Sequence, residues 1–250
     1  MSAPLLEARR EGAVCVLVFR REEKLNALST ALEQELQDAL ASDAVRTSSC
    51  VVFTGGGRAF SAGADITEFA DRTPEAVLDY YRTTGRVYED IAALPQPTLS
   101  AVHGYCLGAG LELALATDFR VADETAVFGF PEVALGILPS SGGTYRAVRL
   151  LGPARAKELI LLPGRLTAAE ALRAGLVTEV GGAGSALERG LELAQALAAL
   201  PPAAVAVAKQ AIDATPDASR EAALLIERLA YGLLAQTTDA RTAAAEFGQS

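Results

Sequence analysis

Continuous apolar runs, each bounded by turn residues or charges, recur along the first three-quarters of the chain. Such runs are typical of strands that are buried on both faces. They predict strands over residues 14–19, 49–54, 98–102, 119–122, 126–129 and 177–180. Between them lie segments with helical spacing of apolar positions, which predict helices over residues 30–41, 74–94 and 167–174 and a helix that starts at 108. This alternation predicts a layered α/β core.

Two Thr-x-x-Glu patterns mark expected helix starts. Thr30 with Glu33 and Thr167 with Glu170 both fit a capping box, in which the two side chains satisfy backbone N–H groups at the first turn. The second of these helices is expected to end at Gly175, because glycine readily adopts the left-handed conformation that closes a helix.

From Ala186 onward the pattern is helical only, with segments at 186–199, 203–214 and 220–236. The chain is therefore expected to divide into a core at residues 1–195 and a C-terminal helical region at residues 196–250. The apolar faces of these helices need a partner surface, either in the same chain or in another subunit.

Composition narrows the class of protein. The 250 residues are 50% hydrophobic, and the formal net charge is −9. This describes a soluble globular protein, and it argues against nucleic acid as the main partner, because phosphate contacts need clustered Lys and Arg. We expect Cys15, Cys50 and Cys106 to be buried free thiols, since they are widely spaced and odd in number. Neither a signal peptide nor a membrane helix is predicted, so a cytoplasmic location is expected.

Two glycine-rich stretches follow predicted strands. The first, Arg58–Ile66, has small residues that would let backbone N–H groups approach a ligand, although a tight loop needs small residues equally. The second, His103–Glu112, opens a helix, whose free N–H groups and dipole can hold a developing oxyanion. Glu112 is a lone carboxylate in this apolar segment. Its structural alternative is dipole complementation on a solvated helix edge.

A second lone carboxylate, Glu132, lies in the apolar stretch Phe128–Leu138. Paired carboxylates in a dry cleft have separated pKa values, so one can act as a general acid while the other acts as a base. The stretch Pro139–Thr144 that follows is a small-residue turn leading into a helix.

Other chemistries find less support. His103 is the single histidine and no GxSxG motif is present, so we expect it to pack or hydrogen-bond at a strand end. No motif with metal-ligand spacing occurs, and metal binding is not expected.

At these stretches the sequence resembles the enoyl-CoA hydratase/isomerase family, also called the crotonase family. The resemblance extends along nearly the whole chain, and the ordered set of motifs makes it specific. Its segments are Glu23–Leu28 (EKLNAL), Phe60–Ile66 (FSAGADI), Gly104–Glu112, Pro131-Glu132, Gly136–Thr144 and Gly164–Val177.

The resemblance implies a spiral of ββα units with a C-terminal helical region that builds homotrimers or hexamers. It implies an acyl-CoA thioester as substrate, with no metal or redox cofactor. The thioester oxygen would be bound by the backbone N–H groups of Ala64 and Ala109, where many members have glycine at the second position. Glu112 and Glu132 match the two glutamates of the hydratases. The implied reaction is therefore addition of water across the C2=C3 bond of a 2-trans-enoyl-CoA to give a 3-hydroxyacyl-CoA. The alternatives are a Δ3-Δ2 enoyl-CoA isomerase, another CoA-thioester enzyme of the family, or a CoA-binding protein.

The resemblance also implies where CoA would bind. Lys24 and Arg20 are candidates for its phosphates, and the backbone around Ala62, Asp65 and Ile66 would meet the adenine end. Residues 69–88 are expected to shape the acyl pocket. Two departures from the family concern ligand contacts. Phe247 is followed only by Gly-Gln-Ser instead of a basic stretch, and Ser140-Ser141 stand where many hydratases have Gly-Ala.

Overall fold

The computed structural model of the chain describes residues 3–68, 73–162 and 164–247. Within this part, two sheets carry the architecture. The six strands of the larger sheet are, in spatial order, β1 (Leu6–Glu11), β2 (Val14–Phe19), β3 (Cys50–Gly55), β5 (Thr98–Val102), β7 (Phe119–Asp123) and β10 (Glu179–Gly181). The four strands of the smaller sheet are β4 (Ala59–Ser61), β6 (Tyr105–Leu107), β8 (Val127–Gly129) and β9 (Leu166–Thr167). Neighbours are parallel except for β1 with β2 and β8 with β9.

The helices alternate with these strands along the chain. Their bounds are α1 (Thr30–Ala41), α2 (Asp43–Arg46), α3 (Pro74–Arg82), α4 (Val87–Ala92), α5 (Ala109–Ala116), α6 (Gly143–Leu161), α7 (Ala168–Ala174), α8 (Ala186–Ala198), α9 (Pro202–Ala214), α10 (Arg220–Leu234) and α11 (Thr238–Phe247). A strand of the larger sheet, a strand of the smaller sheet and a helix follow one another repeatedly, as in β5–β6–α5 and β7–β8–α6. This is the ββα unit that the resemblance implied.

The central strands of the larger sheet are buried on both faces. Every residue of β2, β3 and β5 is buried, because helices cover both sides of the sheet. One face packs against α1, α4 and α5, while the other packs against α8 through residues such as Val52, Leu99 and Ala194. Parallel strands buried in this way read as unbroken apolar runs, which is why the sequence predicted them.

The first predicted capping box is wrong, and the second is confirmed. Helix α1 begins at Thr30, but its cap is Ser29, whose Oγ accepts from the N–H of Leu32. Glu33 is instead buried and accepts hydrogen bonds from tyrosine hydroxyls. Thr167 and Glu170 form the reciprocal capping box of α7, and Gly175 ends that helix with a φ of 78°.

The single helix predicted over 74–94 is divided. Helix α3 ends at Arg82, a 3-10 turn covers Thr84–Arg86, and α4 follows. The chain leaves helical geometry at Thr83, and Gly85 then lies so close to the ring of Tyr80 that a methyl group there would approach it to 2.6 Å. Packing of this aromatic ring accompanies the break.

Four strands and two helices of the described chain were not predicted: β1, β4, β6, β9, α2 and α11. Strand β1 is a charged edge strand without an apolar run, and the others are two to four residues long or polar. Short strands give no periodicity of their own, because their pairing partners determine them.

The C-terminal helices extend from the sheet. Helix α8 packs on the larger sheet, and Nζ of Lys209 in α9 lies 2.8 Å from Oδ2 of Asp118, beside β7. Helices α9 and α10 expose large apolar side chains, including Ile212, Leu229 and Tyr231. The domain division at residue 195 and the oligomeric state stay predictions.

Two further expectations concern cysteines and membranes. Cys15, Cys50 and Cys106 are buried free thiols, as predicted. Among the described helices none alone has the length and apolar character to span a membrane; α8 with residues 202–217 meets both criteria only as a pair bent by 107°.

Candidate active site

Glu112 is held by a buried helix and a tight turn. It lies in the first turn of α5, all of whose residues are buried, and its own exposure is 2%. Its Oε1 accepts hydrogen bonds from the N–H of Ser141 at 2.7 Å and of Gly143 at 2.8 Å. The alternative of a solvated helix edge is therefore wrong. A carboxylate that is buried and oriented by two donors is available for chemistry.

The turn that holds Glu112 depends on two glycines. Gly142 has a φ of 97°, a conformation that L side chains rarely adopt. A methyl group on Gly143 would lie 2.9 Å from Oε1 of Glu112. The small residues of the 139–143 turn thus let its backbone reach the carboxylate, which gives the sequence motif its physical reason.

Glu132 reaches the start of α5 from another segment of the chain. It begins a 3-10 turn (Glu132–Leu135) behind Pro131 and is 9% exposed. Within the described chain its Oε2 is buried without a hydrogen-bond partner. A methyl group on Gly108, the residue before α5, would lie 2.7 Å from its Oε1. An unpartnered buried carboxyl oxygen needs a proton or a ligand, so Glu132 has the properties of a reacting group.

Burial changes the acidity of both carboxyls. Burial raises the pKa of Glu112 to about 7, although the N–H groups of Gly143 and Ser141 lower it; the charge of Glu132 raises it further and Arg146 lowers it. Burial also raises the pKa of Glu132. Each carboxyl therefore holds its proton closer to neutral pH than an exposed glutamate does, which suits groups that exchange protons with a substrate.

Two backbone N–H groups converge beside these carboxyls. Strands β4 and β6 are parallel neighbours, so the residues after them, including Ala64 and Ala109, emerge at the same edge. Gly63 has a φ of 109°, and a methyl group there would lie 3.7 Å from the nitrogen of Ala109. In the described chain neither the N–H of Ala64 nor that of Ala109 donates to a protein acceptor. Such a pair of free donors can bind an anionic oxygen.

The predicted CoA contacts lie on two adjoining segments. The N–H of Ala62 donates to the carbonyl of Leu25, and the N–H of Asp65 donates to that of Leu28, so residues 24–28 and 62–65 run side by side. Lys24 and Ile66 are exposed on these segments. Their roles in binding stay predictions.

Arg20 and Asp65 have partners of their own. Arg20 forms ion pairs with Glu7 and Glu22. The Asp65 carboxylate lies 2.7 Å from Nη2 of Arg21. Hydrogen bonds from Thr67 and Arg21 lower the pKa of Asp65. Sequence reasoning missed Arg21, whose only signal is its position two residues after the end of the buried strand β2.

Other residues around the site were also missed. Arg146 is buried and contacts both Glu89 and the 139–143 turn, and the hydroxyl of Tyr81 hydrogen-bonds Ser140 Oγ. Their signal is weak, because a charged residue on an amphipathic helix usually lies on its solvated face and an aromatic one usually packs in the core.

Three further expectations concern His103, metal binding and the region expected to shape the acyl pocket. Nε2 of His103 lies 3.2 Å from the carbonyl of Gly57, at the strand end where it was expected to hydrogen-bond. Over the described residues there is no group of three or more His, Cys, Asp or Glu arranged to hold a metal ion. Residues 69–72 of the expected acyl-pocket region, and the Gly-Gln-Ser terminus, lie outside the described residues.

Comparison with known proteins gives a consistent result. A family model for enoyl-CoA hydratase/isomerase matches residues 9–248. The 2,3-dehydroadipyl-CoA hydratase of Escherichia coli K12 is 39% identical over 241 residues, covering 96% of this chain and 94% of that protein. A probable enoyl-CoA hydratase of Rhizobium meliloti is 37% identical over 99% of this chain and 96% of its own length.

Solved structures agree with the sequence matches. An enoyl-CoA hydratase from Bacillus anthracis superposes with a TM-score of 0.91 at 36% identity, covering 98% of this chain and 96% of that one. An enoyl-CoA hydratase subunit from Geobacillus kaustophilus superposes with a TM-score of 0.92 at 36% identity, covering 98% of this chain and 95% of that one. The order of strands and helices, the matched motifs and these comparisons lead to one conclusion: the chain belongs to the enoyl-CoA hydratase/isomerase family and has the crotonase fold.

Proposed function

We propose that the protein is an enoyl-CoA hydratase that adds water across the C2=C3 bond of a 2-trans-enoyl-CoA to give a 3-hydroxyacyl-CoA. The observation that carries the proposal is the pair of buried carboxyls, Glu112 and Glu132, near the start of α5, beside two N–H groups that have no protein acceptor in the described chain. The enoyl-CoA hydratases among the relatives support the same reaction class.

In this mechanism Ala64 and Ala109 donate their N–H groups to the thioester oxygen. Addition of an oxygen nucleophile at C3 moves negative charge onto that oxygen, and donors fixed by the backbone stabilise it without reorganising. Removing one such donor in comparable sites costs about 3 kcal/mol of transition-state stabilisation. The roles of these two residues are part of the proposal.

The carboxyls then carry the two proton transfers. Ionised Glu112 accepts a proton from water as its oxygen bonds to C3, and protonated Glu132 delivers a proton to C2. One water is consumed, and the carboxyls exchange a proton with solvent to return to their starting states. No electrons are gained or lost, so the proposed reaction needs no redox cofactor, and the two N–H groups supply the polarisation of the carbonyl.

The experiment is loss of enoyl-thioester absorbance on addition of crotonyl-CoA. Wild type is compared with Glu112→Gln and Glu132→Gln, and with Glu188→Gln as a matched control on the exposed first turn of α8. We expect each active-site variant to lose at least about a thousandfold in rate, since each removes one essential proton transfer. The Glu188 variant should keep wild-type activity. A wild type without turnover on short and long 2-enoyl-CoA would overturn the proposal.

The second candidate is Δ3-Δ2 enoyl-CoA isomerisation, which one carboxylate can perform by moving a proton between C2 and C4. This isomerisation needs only one base. In the described chain Oε2 of Glu132 is buried without a hydrogen-bond partner, so Glu132 could serve as that base. Conversion of a 3-enoyl-CoA by either single glutamine variant would identify an isomerase, because hydration needs both carboxyls. A CoA-binding protein would bind the thioester with no turnover that depends on either residue.

The oligomeric state belongs to the same proposal. We propose a homotrimer or hexamer built through the C-terminal helices, since Ile212, Leu229 and Tyr231 expose large apolar surfaces there. Light scattering coupled to gel filtration measures it directly; a monomer at micromolar concentration would contradict it.

A further inference from the structure

We propose that Arg146 is a positioning residue for Glu112: its guanidinium holds the turn that donates both N–H groups to Glu112 and places a positive charge beside that carboxylate. The inference rests on the proposed function in so far as Glu112 is the base. Arg146 lies in α6 and would act on the reaction through Glu112.

The guanidinium is fixed from two sides. Arg146 is 7% exposed; its Nη1 donates to the carbonyl of Ser141 at 3.0 Å, and its Nη2 lies 2.7 Å from Oε1 of Glu89. Its Cζ also lies 4.8 Å from the ring centre of Tyr145. A buried guanidinium with two directed partners and a stacked ring has little freedom to move.

The same peptide segment faces both residues. The carbonyl of Ser141 accepts a hydrogen bond from the Arg146 guanidinium, and the N–H of Ser141 donates to Oε1 of Glu112 at 2.7 Å. A methyl group on Gly142 would lie 2.1 Å from Nη1 of Arg146, so turn and guanidinium are in direct contact. Losing the guanidinium would free the carbonyl of Ser141 and loosen the N–H donors of Ser141 and Gly143.

Among the described groups, Arg146 is the cation that offsets the negative charge of Glu132 near Glu112. Glu132 raises the pKa of Glu112, whereas Arg146 lowers it. Tyr88 of α4 also faces Glu112, but burial raises the pKa of this phenol, so it stays neutral.

Several other titratable groups on the packed elements have partners of their own. Glu89 of α4 pairs with Arg146 and accepts from Tyr145, Asp90 pairs with Arg86, Arg149 of α6 pairs with Asp217, and Cys106 of β6 donates to the carbonyl of Gly110. Strand β4 carries no titratable side chain. Removing the charge of Arg146 should therefore leave Glu112 opposite Glu132 without a compensating cation.

The test compares Arg146→Met and Arg146→Lys with wild type and with Arg149→Met, a control one turn along α6. Crotonyl-CoA hydration is measured from pH 5.5 to 9.5. Independently, the Glu112 carboxyl is titrated by carbon-13 NMR, with Glu112→Gln to assign its signal. For Arg146→Met we expect the Glu112 titration and the acidic limb of the rate profile to move up by about one pH unit. Its kcat should fall about fivefold more at pH 7 than at pH 9, and the loss that is due to the loosened turn should remain at pH 9.

Arg146→Lys should shift less, because it keeps the charge, but it should still lose rate at every pH because it cannot hold the turn with a fork of donors. A rate loss that is equal at all pH values, with an unmoved Glu112 titration, would overturn the proposal. So would an Arg146→Lys variant equal to wild type in rate. If Arg146→Met does not fold by circular dichroism, the lysine variant decides. If wild type fails to hydrate crotonyl-CoA, the NMR titration still tests Arg146 while the proposed function falls by itself.

Discussion

The Cα of Gly108 faces the carboxyl of Glu132 so closely that a methyl group on Gly108 would lie 2.7 Å from Oε1. Gly108 also has a φ of 50°, and it directly precedes α5, which supplies Ala109 and Glu112. Only glycine, which has no side chain, leaves room here between the start of α5 and the carboxyl of Glu132.

Replacing Gly108 by alanine should therefore displace Glu132. We expect kcat for crotonyl-CoA to fall roughly 10- to 100-fold, because a displacement near 1 Å of a reacting group costs about that much. Gly175→Ala is the matched control: it has a φ of 78° and open space around it, so it carries similar backbone strain without the contact. Equal losses of kcat in the two variants would contradict the role of the contact.

The pH dependence of the rate follows from the base. Because Glu112 must be ionised and burial raises its pKa to about 7, kcat/KM should decline as the pH falls through about 7. The decline should approach tenfold per pH unit below that point. A profile measured with crotonyl-CoA between pH 5 and 9 tests it, and an acidic limb near pH 4.5, the value for an exposed glutamate, would count against Glu112 as the base.

Glu112→Gln should stabilise the protein at neutral pH while it removes activity. The pKa of Glu112 is higher in the folded chain than in the unfolded chain, so the unfolded state binds fewer protons between pH 4.5 and about 7. Wild-type stability therefore declines as pH rises through this window. Glutamine has no proton to lose, and its amide oxygen can still accept from Ser141 and Gly143.

The expected gain at pH 8 is up to about 3 kcal/mol, since tenfold in proton affinity corresponds to about 1.4 kcal/mol. Urea unfolding of both proteins at pH 4 and pH 8 gives the difference. A gain of the same size at both pH values would show that titration of Glu112 is not its source.

Tyr88→Phe should destabilise the fold. The hydroxyl of fully buried Tyr88 donates to Oε1 of Glu33 at 2.8 Å, which ties α4 to α1. Removing the donor leaves a buried carboxyl with one hydrogen bond fewer, at a cost of about 1–3 kcal/mol. Tyr231→Phe, on a side chain that is 76% exposed, is the control. Urea unfolding should separate the two variants; equal stabilities would rule out the buried bond as a source of stability.

Lys24→Ala should weaken substrate binding without slowing the chemistry. Lys24, a candidate contact for the CoA phosphates, is exposed beside the segment around Ala62, where the adenine end is expected to lie. We expect KM for crotonyl-CoA to rise about fivefold with kcat unchanged, and the effect to shrink at high salt. Arg20→Ala should change KM less, since Arg20 already pairs with Glu7 and Glu22. A larger effect at Arg20 would reverse this assignment.

The sequence predicted the parts of this molecule whose signal is local. Strand β2 is an unbroken apolar run because helices cover both its faces, and the lone carboxylates of Glu112 and Glu132 stand out against apolar neighbours. The α/β class and the candidate carboxylates came from such signals, while the spiral of ββα units came from the resemblance.

What could not be predicted depends on contacts between distant segments. Strand β6 has three residues and exists because β4 and β8 pair with it on either side. Arg146 became part of the site only once the fold brought Glu89 and Ser141 to its guanidinium. Glu33 matched a capping pattern, but Ser29 caps the helix instead. The hydroxyls of Tyr80 in α3 and Tyr88 in α4 donate to Glu33.

The free N–H groups at positions 64 and 109 belong to the main chain, and every amino acid except proline provides one there. Their two alanine methyl groups can thus be exchanged for other small side chains while both donors remain. The constraint falls instead on Gly63 and Gly108, whose positive φ angles and close neighbours leave no room for a side chain. Evolution or protein engineering could therefore change the side chains at positions 64 and 109 without removing the two N–H groups that are proposed to bind the thioester oxygen.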